Sequence, residues 1–301
     1  SALKSLTYYD LINGYKDCFM KNEQFIEGMT IDFIYLFSLV DKGIQSILFK
    51  YSTIVENSFK TKLAYVLADN LGVHQDDYLN ECKFYKSYNN KLFFADFKRH
   101  CSEIYSGGKP IPQPTKHYVQ KHNHIPPWIL LKNVSFGNSI NLIRLLKAPE
   151  QQKLIQMLLP NADILYNNKV EFIISALNIV REYRNKIAHN LKFITFKPAR
   201  NKLSPAITTK VISKNLLRWK DVNKNKIAVC DIYAYILALD LLLGDDYIRR
   251  CFCKELSGLF AATIKSTEKP FQTIGMYYCK ITGIPENIDV RLTDYMKNMN
   301  R

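Results

Sequence analysis

Arg181, Arg184, Asn185 and His189 stand close together in a stretch whose apolar residues recur at helical spacing. Imidazole has an unperturbed pKa near ~6.5 and so gives or takes a proton at neutral pH. The guanidinium group is always charged, and its planar fork donates two parallel hydrogen bonds to a phosphate. Asn185 lies four residues after Arg181 and four before His189, so these three share one flank of a helix. The apolar stripe of that helix is Val170, Ile173, Ile174, Leu177 and Val180. Continued at the same period it reaches Arg181 and Arg184, then Ile187 and Ala188. Two guanidinium groups are therefore expected where apolar side chains belong, and each then needs a carboxylate, a phosphate or a water-filled cavity. Arg184 and His189 are five residues apart, which turns them about 140° from each other on an ideal helix. To act on one atom they need the helix to end or bend there, or a second copy of it across a two-fold axis. The bland alternative is an Arg paired with a core acid and a His beside a helix C-terminus, with Glu182 and Lys186 as a surface ion pair. The short spacing leaves both readings open.

Other reactive residue types carry less. His117, His122 and His124 have no nearby Cys and no acid between them, which favours a polar or RNA-contacting loop over a metal site. Cys251 and Cys253 read as two small buried residues on a helix flank. The chain has no phosphate-binding glycine loop, dinucleotide fingerprint, nucleophile elbow or HExxH pattern. No metal and no cofactor are expected.

The elements that must position these groups are helices. Phe33, Phe37, Val40, Ile44 and Leu48 form one helical stripe, with Thr30 as N-cap candidate and Asp32 in the first turn. Val55, Phe59, Leu63 and Val66 continue it on a second helix ending near Gly72. Further helical patterns cover residues 139–146, 150–159, 168–189, 228–243 and 245–264, the fourth so apolar that it reads as a central buried helix. Residues 191–196 suit one short strand. Residues 109–127 hold five of the eleven prolines and are expected to form a loop. The fold class is all-α. The expected organisation is an N-terminal helical region over 1–108, the proline-rich loop over 109–127 and a helical region over 128–301 carrying the Arg/His pair, with one continuous domain as the other arrangement.

With 47% hydrophobic residues among 301, the chain can bury a sizeable core, which excludes wholesale disorder. No uncharged apolar run approaches the roughly 18 residues of a membrane span. Seven cysteines, no CxxC pair and no signal-peptide pattern lead to the expectation of reduced thiols in a cytoplasm.

The formal net charge is +15, and its distribution is uneven. Residues 181–226 hold 13 Lys and Arg against two acids, and residues 83–124 hold eight against two; the remaining 213 residues sum to −2. Localised positive charge is the footprint of a polyanion partner. Phe84, Tyr85, Tyr88 and Tyr118 are interleaved with the first basic segment, and Phe193, Phe196 and Trp219 with the second. Aromatic rings beside basic groups suit the stacking of unpaired bases, unless the rings turn into the core.

Arg184-Asn185-Lys186-Ile187-Ala188-His189 resembles the RNxxxH form of the signature of HEPN ribonucleases. The wider chain resembles the Abi family of bacterial abortive-infection proteins, of the AbiD/AbiF group. The segment from Tyr8-Tyr9-Asp10 to Gly14-Tyr15 is similar to that family's N-terminal YYRLxGY block, with Asp10 where an Arg is expected. Residues 37–41 followed by Ile54-Val55-Glu56-Asn57-Ser58-Phe59-Lys60 resemble its long helical pair, and Pro126-Pro127-Trp128 with Ser135-Phe136-Gly137 its PxW and (S/T)FG block. The resemblance implies a HEPN-like helical bundle with additional N-terminal helices. It also implies a metal-independent endoribonuclease in which the ribose 2′-OH attacks the adjacent phosphorus. His189 is then the general acid/base, Arg184 stabilises the phosphoryl charge, and Asn185 orients His189. RNA is contacted in this reading by Arg181, Lys186, Lys192, Lys197, Arg200, Lys202, Trp219 and Lys220, with Tyr15 and Lys16 from the N-terminal block. Such sites are built from two facing motifs, so a homodimer is implied, and likeness to AbiF systems implies a phage-defence toxin held by a small noncoding RNA. A non-catalytic RNA-binding protein on the same fold remains the alternative.

Overall fold

The computed structural model describes residues 8–84, 88–105, 113–160 and 163–299; Tyr85 and the side chains of Asp10 and Tyr88 lie outside the described residues. After a π-helical turn, Tyr9–Asn13, come α1 (Gly14–Phe19) and a two-stranded hairpin, β1 (Met20–Lys21) and β2 (Gln24–Phe25). Then follow α2 (Ile31–Leu71), α3 (Gln75–Tyr78), α4 (Tyr88–Tyr105), α5 (Thr115–His122), α6 (Pro127–Asn133), α7 (Phe136–Leu145), α8 (Ala148–Leu158) and α9 (Tyr166–Ala188). The C-terminal part holds α10 (Pro205–Val211), α11 (Trp219–Asn223), α12 (Ile232–Leu243), α13 (Asp246–Ile264), α14 (Lys269–Thr282) and α15 (Ile288–Asn298). The chain is all-α, and no helix among the described residues is long and apolar enough to cross a membrane.

Several local expectations hold for identifiable reasons. The Thr30 hydroxyl accepts the Phe33 amide at 3.1 Å, satisfying one of the free donors at the start of α2. Gly72, at φ +110°, ends that helix. Asp245 caps α13 by accepting from the Ile248 amide. Other expectations need correcting. The two stripes before Gly72 belong to one helix of 41 residues, because nothing between Leu48 and Val55 breaks it. Residues 191–196 form no strand. Within the proline-rich stretch, Thr115–His122 is helical: Pro114 precedes the helix and the next proline is Pro126, so no ring interrupts its hydrogen bonds. The helix expected from residue 228 starts at Ile232. Ala228 has φ +64°, and Asp231 is the N-cap, accepting from the Ala228 and Ala234 amides.

The chain divides into two compact units, one of residues 54–178 and the other of residues 1–53 with 179–301. In the first, α7 is capped by Ser135, whose hydroxyl accepts the Asn138 amide at 3.1 Å. Phe136 at the start of α7 packs on Phe59, with ring centroids 6.1 Å apart. The prolines of the 126–127 pair start α6, where a missing amide costs nothing.

The second unit is organised on α12. Eleven of its residues are buried, and a helix apolar on every side can only sit in the middle of a bundle. Around it, α14 approaches the end of α13 so closely that a Cβ on Gly275 would lie 3.0 Å from the Ile264 nitrogen. Phe19, Phe33, Phe37 and Tyr278 form an aromatic cluster, with Phe19 and Phe37 edge to face at 4.8 Å. Arg291 on α15 is buried against Asp221 at 2.6 Å and also donates to the Leu216 carbonyl. This anchors the turn that carries Trp219 and Lys220.

Candidate active site

The motif helix α9 keeps its regular hydrogen bonding to its end, where the His189 amide still donates to the Asn185 carbonyl at 3.1 Å. The next residue, Asn190, turns left-handed at φ +50°. Its amide donates to the Ile187 carbonyl at 3.0 Å, and the Leu191 amide donates to the Lys186 carbonyl at 2.9 Å. These bonds satisfy carbonyls that the helix end leaves free. Asn is among the few residues that tolerate this conformation. The helical hydrogen bonding therefore runs up to His189, just past the last helical residue Ala188, and His189 is exposed.

The buried stripe of this helix runs differently from its extrapolation. After Val180 it continues through Tyr183, which is fully buried, and not through Arg181. The Tyr183 hydroxyl donates to the Phe196 carbonyl at 2.8 Å and to that of Cys230 at 3.0 Å, and its ring stacks on Tyr235 at 4.8 Å. Burial pushes this phenol well above its ordinary pKa. Arg181, Arg184 and Asn185 are half-buried. Arg181 meets Glu182 at 3.5 Å. The Arg184 charge opposes the upward push that burial gives the Tyr235 phenol. Glu182 accepts from Asn201, and Lys186 lies over the Phe196 ring at 4.7 Å; neither makes the surface pair expected between them.

Beside this helix end is a cleft of about 660 Å³. It is walled by the π-helical turn and α1, by one face of α2, and by residues that end α9 and follow it. The cleft floor is a buried carboxylate, Asp41. It accepts from the Tyr15 hydroxyl at 2.8 Å, the Tyr278 hydroxyl at 2.9 Å and the Gln45 amide at 2.6 Å. Burial raises the Asp41 pKa against the pull of these donors. Gln45 and Asn190 each offer an amide oxygen to the Lys42 ammonium, at 3.3 and 2.6 Å. A continuous run of hydrogen bonds thus joins the core at Tyr278 to the residue that follows His189.

Of the side chains assigned to RNA from sequence, Lys16, Lys186 and Lys192 line this cleft. Lys192 pairs with Asp17, whose carboxyl it holds below the usual range. Tyr15 lines it too, but as a buried floor residue with its hydroxyl committed to Asp41. Lys197, Arg200, Lys202, Trp219 and Lys220 are exposed and are not among the lining residues. The interleaved aromatics divide. Phe84 and Phe193 are buried, Phe196 lies under Lys186, and Trp219 stands 65% exposed. Lys42, Gln45 and Asn190 were not singled out from sequence. The one local signal was Asp41 and Gln45, polar residues four apart inside the stripe of Val40 and Ile44.

His117, His122 and His124 gather with His74, the His74 and His124 rings being 4.5 Å apart. Among the described residues no three His, Cys, Asp or Glu side chains are placed to hold a metal ion.

A family model described as Abi-like protein matches residues 1–195. That span takes in the motif and every residue lining the cleft, and it stops short of Trp219 and Lys220. No curated protein and no solved structure matches the chain.

Proposed function

We propose, from the premise that the chain belongs to the Abi-like protein family, that it is a HEPN-type endoribonuclease serving as the toxin of an abortive-infection system against phage. The observation that carries this reading is the end of α9. There a half-buried Arg184 and an exposed His189 fall within the last turns of the helix, and Lys186 and Asn190 of the same stretch line a cleft that holds four lysines. In the proposed reaction the 2′-oxygen of one ribose attacks the adjacent phosphorus and the bond from phosphorus to the 5′-oxygen breaks. The 2′-OH proton leaves to a base and the 5′-oxygen receives a proton. The products are a 2′,3′-cyclic phosphate and a 5′-OH. His189 serves proton transfer, which an imidazole performs well near neutral pH. Arg184 faces the charge gathering on the phosphoryl oxygens, where a fixed cation acts most strongly. Asn185, four residues before His189 on the same helix flank, is given the role of orienting it. Because attack needs the 2′-OH, the substrate is RNA and not DNA. One chain carries one such His, whereas the reaction needs both a base and an acid. This supports a homodimer in which two motifs face each other. A small cognate RNA as the restraining partner is part of the same proposal, as is a cytoplasmic place of action.

Labelled RNA incubated in EDTA with wild type and with His189→Ala, with the product ends chemically typed, tests this. Cleavage by wild type alone, leaving cyclic phosphates, is the expected outcome. Equal cleavage by both proteins refutes the assignment of His189. The exposed Trp219 and Lys220 favour a second reading, RNA binding without catalysis. It predicts tight, salt-dependent binding, no cleavage by either protein, and indifference to His189→Ala.

A further inference from the structure

We infer that the cleft beside His189 takes one unpaired nucleotide of an RNA strand, its phosphate on Lys42 and Lys186 and its base against Tyr9, Leu39 and Leu191. The inference rests on the reading of this chain as a protein that acts on RNA, and it adds the subsite that holds the strand next to the cut.

Charge is the first argument. Lys16, Lys42, Lys186 and Lys192 bring four ammonium groups to the lining, and the lining holds one carboxylate, Asp41. Asp41 is buried and already accepts from three donors. Lys192 is compensated by Asp17. Lys42 and Lys186 are different, because the groups that bond or face their ammonium are neutral: two amide oxygens for Lys42, whose charge also acts on the buried Asp41 carboxyl, and an aromatic face for Lys186. Such partners fix an ammonium in place without cancelling its charge. A cation ordered in advance without a direct ion pair is suited to a phosphate, since little side-chain entropy is lost when the anion arrives. Both line the same cleft, Lys42 bonded to Asn190 and Lys186 four residues before it.

The walls are the second argument. Tyr9 is 73% exposed, Leu39 49% and Leu191 51%, and all three line the same cleft. Large apolar surfaces converging with fixed cations in a cleft of about 660 Å³ match a ligand with a flat apolar part and an anionic part. A nucleotide has both, and stacking on side chains is how unpaired bases are held. Position is the third argument. Asn190, a lining residue, follows His189 directly, so the cleft borders the helix end that carries the proton-transfer group.

The test is equilibrium binding, which needs no catalysis. A short unpaired RNA carrying 2′-O-methyl groups throughout is titrated by fluorescence anisotropy at several salt concentrations. The proteins are wild type, Lys42→Met, Lys42→Arg, Lys16→Ala and Leu191→Ser. Lys42→Met is expected to weaken binding about tenfold and to lower the salt slope by about 0.7, the loss of one phosphate contact to a single strand. Lys42→Arg should restore most of both. Lys16 and Leu191 are exposed, so their variants fold, and each should weaken binding independently of the Lys42 network. Wild-type slope and affinity in Lys42→Met and Leu191→Ser overturn the inference, as does an absence of RNA binding by wild type. Adenosine 5′-monophosphate bound as tightly as the RNA makes this a free-nucleotide site and overturns the assignment to a strand. Binding as expected, with no cleavage by wild type in the separate EDTA assay, upholds this site and refutes the ribonuclease reading instead.

Discussion

Asn190 combines two separable contributions at the end of the motif helix, and two substitutions pull them apart. Its backbone is left-handed, at φ +50°, and its side chain accepts from the Lys42 ammonium at 2.6 Å. Asn190→Gly keeps the backbone conformation at no steric cost and loses only the acceptor. A hydrogen bond in this exposed setting contributes about 0.5–1.5 kcal/mol net. Asn190→Ala loses the acceptor and also the short polar side chain by which Asn tolerates the left-handed region, where an ordinary L-residue is disfavoured by about 1–2 kcal/mol. The expected order of stability is wild type, then Gly, then Ala. The Ala variant should sit about 1.5–3.5 kcal/mol below wild type, by addition of those two ranges. Urea unfolding reads the total, and amide exchange at Leu191 reads the local opening of the helix end. Since Lys42 is the partner, Lys42→Met and Asn190→Gly should show a coupling of about 0.5–1.5 kcal/mol in a double-mutant cycle. An Ala variant as stable as the Gly variant would refute the left-handed cap. Additive effects of Lys42→Met and Asn190→Gly would refute the bond between them.

Asp240 on α12 is buried, and burial pushes its carboxyl from 3.8 up to about 6. The protonated form is therefore favoured by the fold, so this group's contribution is complete below about pH 4 and is lost as pH rises through about 6. Two units correspond to roughly 3 kcal/mol, and Asp240→Asn should gain about that much over wild type between pH 4 and pH 7.5; equal pH dependence of the two unfolding curves would count against it. Arg291→Met leaves Asp221, 2% exposed in its side chain, buried without its cation, and should cost about 3–5 kcal/mol of thermal stability; a loss under about 1 kcal/mol would contradict the buried pair. Tyr183→Phe keeps the stacked ring and removes the donor to two carbonyls, at about 1–3 kcal/mol, and a crystal structure of the variant should show Arg184 and His189 unmoved.

Residues near in sequence were the legible part of the site. Arg184, Asn185 and His189 fall on one helix because a helical period is visible in the stripe that leads to them, and its end near His189 was bounded by the same period. The step that failed on that helix was the extension of the stripe past Val180. Periodicity alone offers Arg181 or Tyr183 as the next core residue. What decided was a partner far along the chain: Tyr235, whose ring stacks on Tyr183, and Cys230, whose carbonyl takes its hydroxyl. Likewise, nothing near Lys42 announces Asn190, 148 residues away.

The sequence by itself determined the all-α class, the Thr30 and Gly72 limits of the long helix, the buried centre at α12 and the two basic segments. Each depends on neighbours within a few turns or on composition, and those act before any tertiary contact exists. It also carried the family, through motifs in the right order. Only the tertiary structure decided that the two stripes before Gly72 are one helix and that a helix forms inside the proline-rich stretch. It alone made Asp41 the floor of a cleft, with Lys42 held on the residue after His189. The physical reason is that a buried carboxylate and an ordered ammonium are set by desolvation and by donors from distant segments. Those terms come into being only when the segments meet.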